Sequence, residues 1–231
     1  MATRISPPTL RVGPLAWGFG AVLLVTIGGF WPSFFSNPLS NDTVHIVHGL
    51  AATGWILLLI TQSLLITARR GRLHMAIGRW SPLLVMILLG AALLMVHSMM
   101  LAHYATPELR LTLAASDLFG LVMFAALYGA ALVFRRTHSL HSRLMGTTVL
   151  VGVPPAVERL LPFSFNTSLD LSYIAVELAL LALIANDARR GQLRWPFPAL
   201  LGAFAVIHWA LWQAPHWDWF RVVARALGFP G

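Results

Sequence analysis

Long apolar runs separated by short polar connections dominate the hydrophobic pattern of the chain. A helix needs about 20 mainly apolar residues to cross the roughly 30 Å hydrocarbon core of a bilayer. Seven stretches reach this length, and Pro154 and Pro155 interrupt the fifth because proline has no backbone N–H to donate. The pattern therefore predicts an all-α membrane bundle of seven transmembrane helices in a single domain, residues 1–231. The predicted spans are residues 13–35, 44–68, 79–103, 110–134, 144–162, 168–187 and 196–214.

A further segment, residues 216–228, follows the seventh span and has the pattern of a short amphipathic helix that lies on the membrane interface. Of the 231 residues, 58% are hydrophobic and only 10% are charged, whereas about a quarter of the residues in a soluble domain are charged. This balance argues against a water-soluble enzyme. The basic residues lie in short clusters between apolar runs, so we expect the lipid bilayer as the main partner and no nucleic acid.

The positions of the arginines predict how the bundle is oriented, because all 16 basic residues are arginine. Connections rich in arginine stay on the cytoplasmic side of a membrane. Twelve arginines fall before span 1 or in the connections 2–3, 4–5 and 6–7: Arg4, Arg11, Arg69, Arg70, Arg72, Arg79, Arg135, Arg136, Arg143, Arg189, Arg190 and Arg194. The remaining four are Arg110, Arg159, Arg221 and Arg225. The sequence therefore predicts a cytoplasmic N-terminus, an external C-terminus and a multi-pass protein of a bacterial inner membrane.

Six of the predicted spans each hold an ionisable side chain away from the span ends, where a charge is costly and usually has a functional reason. Counted along the helices, all six lie in the outer half of the membrane. They are His48, His97, Asp117, Glu158, Glu177 and His208. The chain has no cysteine, so a bound metal would need His, carboxylate or Met ligands. The outer half of the bundle is therefore the predicted place for chemistry.

Two polar stripes accompany these residues along the helices. Seven-residue steps from His48 lead to Trp55 and then Gln62 on one face of span 2. On span 4, Asp117 shares a face with Tyr128. Lipid offers no hydrogen-bond partner, so both stripes should face the interior of the bundle.

One hypothesis is a metal centre, in which ligands from several helices hold zinc or iron. The candidate metal ligands are His45, His48, His97 and His208. The candidate ligands, general bases or proton carriers are Asp117, Glu158 and Glu177. A copper variant would use His97, Met100 and His103, because imidazole and thioether ligands suit Cu(I). The zinc variant resembles the layout of ceramidase-type membrane hydrolases, but their closely spaced C-terminal pair of histidines is missing.

A second hypothesis is haem b. His48 and His97 lie on adjacent antiparallel spans at similar predicted depth and would be its axial ligands. On the inner side, His74 and His141 lie at equivalent places in two arginine-rich connections, where they would bind a second haem or another anionic group. The candidate cofactor-binding residues are His74, His141, Arg143 and Arg159. Two stacked sites would resemble the arrangement in cytochrome b561-type haem proteins.

Several short motifs also occur together over residues 28–160. They are Phe30-Trp31-Pro32-Ser33-Phe34-Phe35, His45-x-x-His48 with Trp55 and Gln62, Leu73-His74 with Gly78, Asp117 with Phe119 or Phe124, and His141-x-Arg143-Leu144-Met145 followed by Arg159. In these motifs the chain resembles a widespread group of bacterial multi-spanning inner-membrane proteins of unassigned function. The resemblance implies a shared fold, and it singles out His45, His48, His74, Asp117, His141 and Arg159.

Three classes of function are compatible with these observations. The first is a metal- or haem-binding redox protein with an electron-transfer partner. The second is a small proton-coupled transporter that uses the outer carboxylates, because helices interrupted by proline often mark binding sites. The third is an accessory subunit of a larger membrane complex or a homo-oligomer, in which the polar side chains only hydrogen-bond to neighbouring helices.

Overall fold

The computed structural model describes residues 13–101 and 106–229, and these residues form a bundle of α-helices without a β-strand. Helix accounts for 85% of the structure. The α-helices are α1 (Pro14–Gly29), α2 (Thr43–Thr67), α3 (Gly71–Gly78), α4 (Ser81–Leu101), α5 (Pro107–Val133), α6 (His138–Thr147), α7 (Val153–Glu158), α8 (Phe165–Arg189), α9 (Pro196–Gln213) and α10 (Asp218–Ala226).

Five of the helical segments are long and apolar enough to cross a membrane. They are Thr43–Thr67, Gly71–Leu101, Pro107–Val133, Phe165–Arg189 and Pro196–His216, which correspond to predicted spans 2, 3, 4, 6 and 7. Large apolar side chains are exposed on their outer faces: Leu50 is 61%, Val122 70% and Val206 62% accessible. Exposed aliphatic side chains at this density are typical of a surface that contacts lipid or another protein, so an all-helical bundle with five helices long enough to span a membrane is confirmed.

The first predicted span, residues 13–35, is not one α-helix. The helix α1 ends at Gly29, and the chain continues as a π-helical turn, Trp31–Phe35, in which the N–H of Phe35 donates to the carbonyl of Phe30 at 3.1 Å. Pro32 lies in this turn and has no N–H, so the α-helical ladder cannot continue through it. A straight helix over residues 13–35 is therefore wrong, although its apolar part, Leu15–Gly29, forms as predicted.

The fifth predicted span, residues 144–162, is a chain of three short helices. The helix α6 passes into a 3-10 segment, Thr148–Gly152, and then into α7. Pro154 and Pro155 lie in the first turn of α7, where a missing N–H leaves no hydrogen bond unmade. The predicted interruption is confirmed.

One of the two apolar clusters of the core contains Trp55, Phe124 and Tyr128. The Trp55 ring makes edge contacts with Phe124 and Tyr128, with ring centroids 5.4 and 5.6 Å apart. Its indole N–H donates to the Thr148 hydroxyl at 3.0 Å, which ties α2 to the interrupted fifth element. Trp55 is only 2% exposed and Tyr128 is buried, so these residues of the two polar stripes face the interior as predicted. Asp117 of the second stripe is exposed, so the prediction is wrong for this residue.

The C-terminal helix α10 closes one end of the bundle. Phe220 and Ala224 are buried, and Phe220 packs against Phe119 of α5 with centroids 5.8 Å apart. Trp219 and Val222 remain exposed. The predicted interfacial helix at 216–228 therefore forms, as a shorter helix over Asp218–Ala226 that packs on α5.

Candidate functional site

A histidine held between two carboxylates is the most distinctive polar arrangement in the half of the bundle that the sequence predicts to be the outer one. On α9, His208 places Nδ1 3.1 Å from Glu177 Oε1 and Nε2 3.3 Å from Asp170 Oδ1. Both carboxylates lie on α8, seven residues apart and therefore on one helix face. Trp212, one turn after His208, donates its indole N–H to Asp170 Oδ1 at 2.9 Å. We call Asp170, Glu177 and His208 the outer triad.

The number of protons on the outer triad decides which of its hydrogen bonds can form. A neutral imidazole has one N–H and one lone pair, and an ionised carboxylate can only accept. Both ring nitrogens of His208 face carboxylate oxygens, so both contacts are satisfied only when the triad carries two protons. Loss of one proton leaves a ring lone pair against a carboxylate and weakens that contact. Proton loss therefore breaks the hydrogen bond between His208 and either Asp170 or Glu177.

The outer triad lines a groove of about 460 Å³ on the surface formed by α8 and α9. The remaining lining is aromatic and aliphatic: Ile174, Ala205, Trp209 and Trp212. The carboxylates are partly accessible, with exposed side-chain fractions of 42% for Asp170 and 22% for Glu177. A solute in this groove would meet two acids, an imidazole and two indole rings.

A second polar group is linked to the triad through Tyr173, and two of its members, Asp117 and Arg159, are exposed. The Tyr173 ring stacks on His208 with centroids 5.2 Å apart, and its hydroxyl pairs with the Ser116 hydroxyl at 2.9 Å. The next residue, Asp117, lies within electrostatic range of Tyr173 and of the neighbouring residues Glu158 and Arg159. Three of the predicted catalytic or cofactor-binding residues, Asp117, Glu158 and Arg159, therefore share one region.

Arg159 is engaged with its surroundings in this second group. Its guanidinium lies 4.6 Å from the centroid of the Phe30 ring and donates to the carbonyl of Pro155. It also lies 3.7 Å from a carboxylate oxygen of Glu158. The guanidinium of Arg159 therefore places a positive charge beside Glu158 and within electrostatic range of Asp117.

The predicted ligands His45, His48 and His97 are not brought together. His45 pairs with Asp42 at 2.7 Å at the exposed start of α2. His48 lies against the backbone of Leu88, whereas His97 is nine residues further along α4, about 14 Å at 1.5 Å per residue. His97 instead bonds through Nδ1 to the carbonyl of Leu227 at 2.8 Å. The matched depth expected for a haem pair is therefore wrong, because α2 and α4 are offset along their axes.

The fourth predicted ligand, His208, lies on α9, which packs mainly against α8 and α5, whereas α2 packs against α1 and α4. Over residues 13–101 and 106–229, no group of three His, Asp or Glu side chains is placed to hold a metal ion. In the outer triad, Asp170 and Glu177 bind opposite nitrogens of the ring and do not converge on one point. The copper variant includes His103, which lies outside the described residues. The zinc, iron, copper and haem hypotheses stay predictions.

The candidates on the predicted inner side fall into two groups: the half-buried histidines His74 and His141, and Arg143, which forms an ion pair. His74 lies against Gln62 of α2 and within electrostatic range of His141, whose Nδ1 donates to the carbonyl of Ala131 at 2.8 Å. Arg143, in contrast, is engaged by Asp187: its Nε and one terminal nitrogen both lie 2.8 Å from Asp187 Oδ2. Asp187 is 6% exposed. The predicted anion-binding Arg143 therefore fastens α6 to the end of α8.

Sequence reasoning missed Asp170 and Trp212. Asp170 lies at the very start of the predicted sixth span, so it did not count as a charge in hydrocarbon. Its signal was the seven-residue spacing to Glu177, which places two acids on one face, and Trp212 carries a similar signal four residues after His208. Pairing these two faces requires knowing that α8 and α9 are neighbours.

Comparisons with known proteins do not add to this geometry. No known protein family matches the chain, and no characterised protein or solved structure is similar to it. The resemblance over residues 28–160 to bacterial multi-spanning proteins stays a prediction.

Proposed function

We propose that the chain is a small proton-coupled carrier of a bacterial inner membrane and that the outer triad is its proton- and solute-binding site. The observation that carries this proposal is the position of His208 between Glu177 and Asp170. An ionisable group inside a membrane bundle is costly, and proton relays of carboxylates and histidines are a recognised reason for keeping one. The groove beside the triad supplies the space for a solute.

Coupling follows from the proton count of the triad. With two protons, His208 bonds to both carboxylates, and we call this the closed state of the site. With one proton fewer, one carboxylate loses its bond to His208 and is available to a solute in the groove, although Asp170 still accepts from the indole N–H of Trp212. Solute and proton then compete for the same carboxylate, which is the thermodynamic requirement for exchange of one for the other.

The second polar group supports the proposal because it places further ionisable side chains near the triad. Tyr173 and Ser116 connect the ring of His208 to the neighbourhood of Asp117 by stacking and one hydrogen bond. Asp117 and Glu158 lie beside the interrupted fifth element. Helices that are broken within a membrane are typical of transporter binding sites, because the ends of the half-helices and the unwound backbone can bind polar groups and ions.

We also propose seven membrane passes with a cytoplasmic N-terminus. The segments Pro14–Phe35 and His138–Glu158 would supply the first and fifth passes in addition to the five long helices. The arginines of the predicted cytoplasmic connections are exposed within the described ranges, apart from Arg143 in its clamp. The distribution of charge therefore supports this orientation.

Because the chain has no cysteine, single-cysteine labelling tests the topology without a background. Ser40→Cys and Phe163→Cys should react with an impermeant maleimide from outside intact cells. Arg72→Cys and Leu193→Cys should react only after the cells are opened. Outside labelling of either residue in the second pair would contradict the proposed orientation.

Reconstitution into liposomes with an entrapped pH dye tests the function. A panel of cationic, zwitterionic, anionic and neutral probes is added outside, and proton movement is recorded. We expect at least one class to drive proton flux through the wild type and not through His208→Gln, which keeps a donor and an acceptor but cannot bind an extra proton. Asp218→Asn, at an exposed carboxylate on α10, is the matched control. Folded protein that moves protons with no class of probe would contradict the proposal.

A further inference from the structure

We infer that the solute bound in the groove of α8 and α9 is a lipophilic organic cation. This inference rests on the proposed carrier function and names the substrate class of the same site. The groove combines two carboxylates with two tryptophans and an aliphatic wall. The charges, the aromatic walls and the opening of the groove each bear on the identity of the solute.

The electrostatics of the groove favour a positive charge. Glu177 Oε2 and Asp170 Oδ2 accept no hydrogen bond from the described part of the chain, whereas the other oxygen of each bonds to His208. The arginine ion pairs seen among the described residues are with Asp187 and Glu158, away from this groove. With two protons the triad carries a net charge of −1, and with one it carries −2. A monovalent cation that replaces a proton restores the charge.

The aromatic lining points to an organic cation instead of a metal ion. A cation over the face of a tryptophan ring is stabilised by about 0.5–2 kcal/mol, most strongly where water is excluded. Trp209 and Trp212 line the groove on the α9 side, and Ile174 and Ala205 add apolar surface. A volume of about 460 Å³ is within the usual range for small-molecule sites. The carboxylates favour a positively charged solute, and the indole rings favour a cation that is polarisable and weakly hydrated.

The position of the groove explains why the solute would be lipophilic. It opens sideways, and apolar side chains near it on both helices are exposed: Leu178 by 60%, Val206 by 62% and Trp209 by 60%. An amphipathic cation can therefore keep its apolar body in the bilayer while its charged centre reaches the carboxylates. An anion of the same shape would meet two unscreened negative charges.

Protons should compete with the bound cation, because a protonated His208 and the cation bind the same carboxylate. Of the helices packed against α9, α8 places Asp170, Glu177 and the Tyr173 ring against His208, and no charged group of α5, α6 or the segment Ala214–His216 comes within hydrogen-bonding distance in the described chain. The cation takes the carboxylate that a protonated His208 would otherwise bond. Binding should therefore weaken as the pH falls, by up to about tenfold per pH unit for one linked proton.

Equilibrium binding of tetraphenylphosphonium, with tetraphenylborate as an anion of the same shape, tests this inference on the full chain in detergent. We expect saturable binding of the cation alone. Asp170→Asn and Glu177→Gln should each weaken it at least about tenfold, and Trp209→Leu should weaken it several-fold. Trp31→Leu, at a tryptophan of similar exposure (56% against 60%), and Asp218→Asn should leave it unchanged.

The outcomes separate the two proposals. Equal binding of cation and anion, or cation binding that survives both carboxylate substitutions, overturns the cation inference. Proton flux driven only by anionic or zwitterionic probes overturns it as well, but leaves the carrier function standing. Specific cation binding without any proton flux in liposomes overturns the carrier function and leaves the cation site. His208→Gln should retain cation binding while removing its pH dependence, and unchanged pH dependence would contradict the role of the histidine.

Discussion

The close approach of α1 and α7 at Gly29 gives a sharp test of the packing of the bundle. A Cβ added at Gly29 would lie 2.8 Å from the carbonyl carbon and 2.9 Å from the Cα of Ala156, distances that real Cβ atoms do not adopt. The opposing atoms belong to the backbone, so no side-chain rotation can make room. We therefore expect Gly29→Ala to push the two helices apart and to destabilise the protein by about 1–3 kcal/mol, the usual cost of overpacking.

Gly20, on the same helix, is the matched control. A Cβ there meets nothing within 4 Å, and alanine is favoured over glycine in a helix by up to about 1 kcal/mol. The two substitutions should therefore have opposite signs and differ by about 1–4 kcal/mol. Unfolding in mixed detergent, followed by circular dichroism and tryptophan fluorescence, measures both. Equal stability of Gly29→Ala and Gly20→Ala would refute the contact and the position of α7 against α1.

Three further substitutions test other contacts. Asp187→Asn removes the partner of the guanidinium of Arg143 and should cost about 3 kcal/mol in the same unfolding assay; a loss no larger than that of Asp218→Asn would contradict the clamp. Thr148→Val leaves the buried N–H of Trp55 without an acceptor and should cost about 1–3 kcal/mol; an unchanged midpoint would show that this bond is not needed. The backbone N–H of residue 45 holds the pKa of Asp42 below its usual value, so stabilisation from this N-terminal cap should be present at neutral pH and be lost as the pH falls through that lowered pKa. Carboxyl NMR should find the same low pKa in His45→Ala, and a return to the ordinary value would assign the shift to the imidazole.

The membrane class of the fold could be read from the sequence because it depends on the length and apolarity of single segments. Five long helices lie where the hydrophobic runs predicted them. The interruption at Pro154 could also be predicted, since the missing N–H is a local property. The π turn after Gly29 is equally local in cause, but its geometry depends on how Phe34 packs against Gly49 of the next helix.

The candidate site was predicted in part. Ionisable residues in hydrocarbon were a valid signal for Glu177 and His208, which are in direct contact, and for Asp117, which lies near Glu158. The matched depth predicted for His48 and His97 is not observed, because a count from the span ends does not include the offset between α2 and α4. Asp170 was missed because pairing of α8 with α9 is a tertiary property that no single-helix pattern contains.

The central claim is that the outer triad holds two protons in its closed state and loses one when it opens. The ¹⁵N resonances of the His208 side chain in protein reconstituted into lipid measure this directly. The account predicts that both ring nitrogens are protonated at low pH and that one loses its proton as the pH rises, with the change moved to lower pH by tetraphenylphosphonium. A single neutral tautomer that persists across the pH range of proton-coupled transport would contradict it.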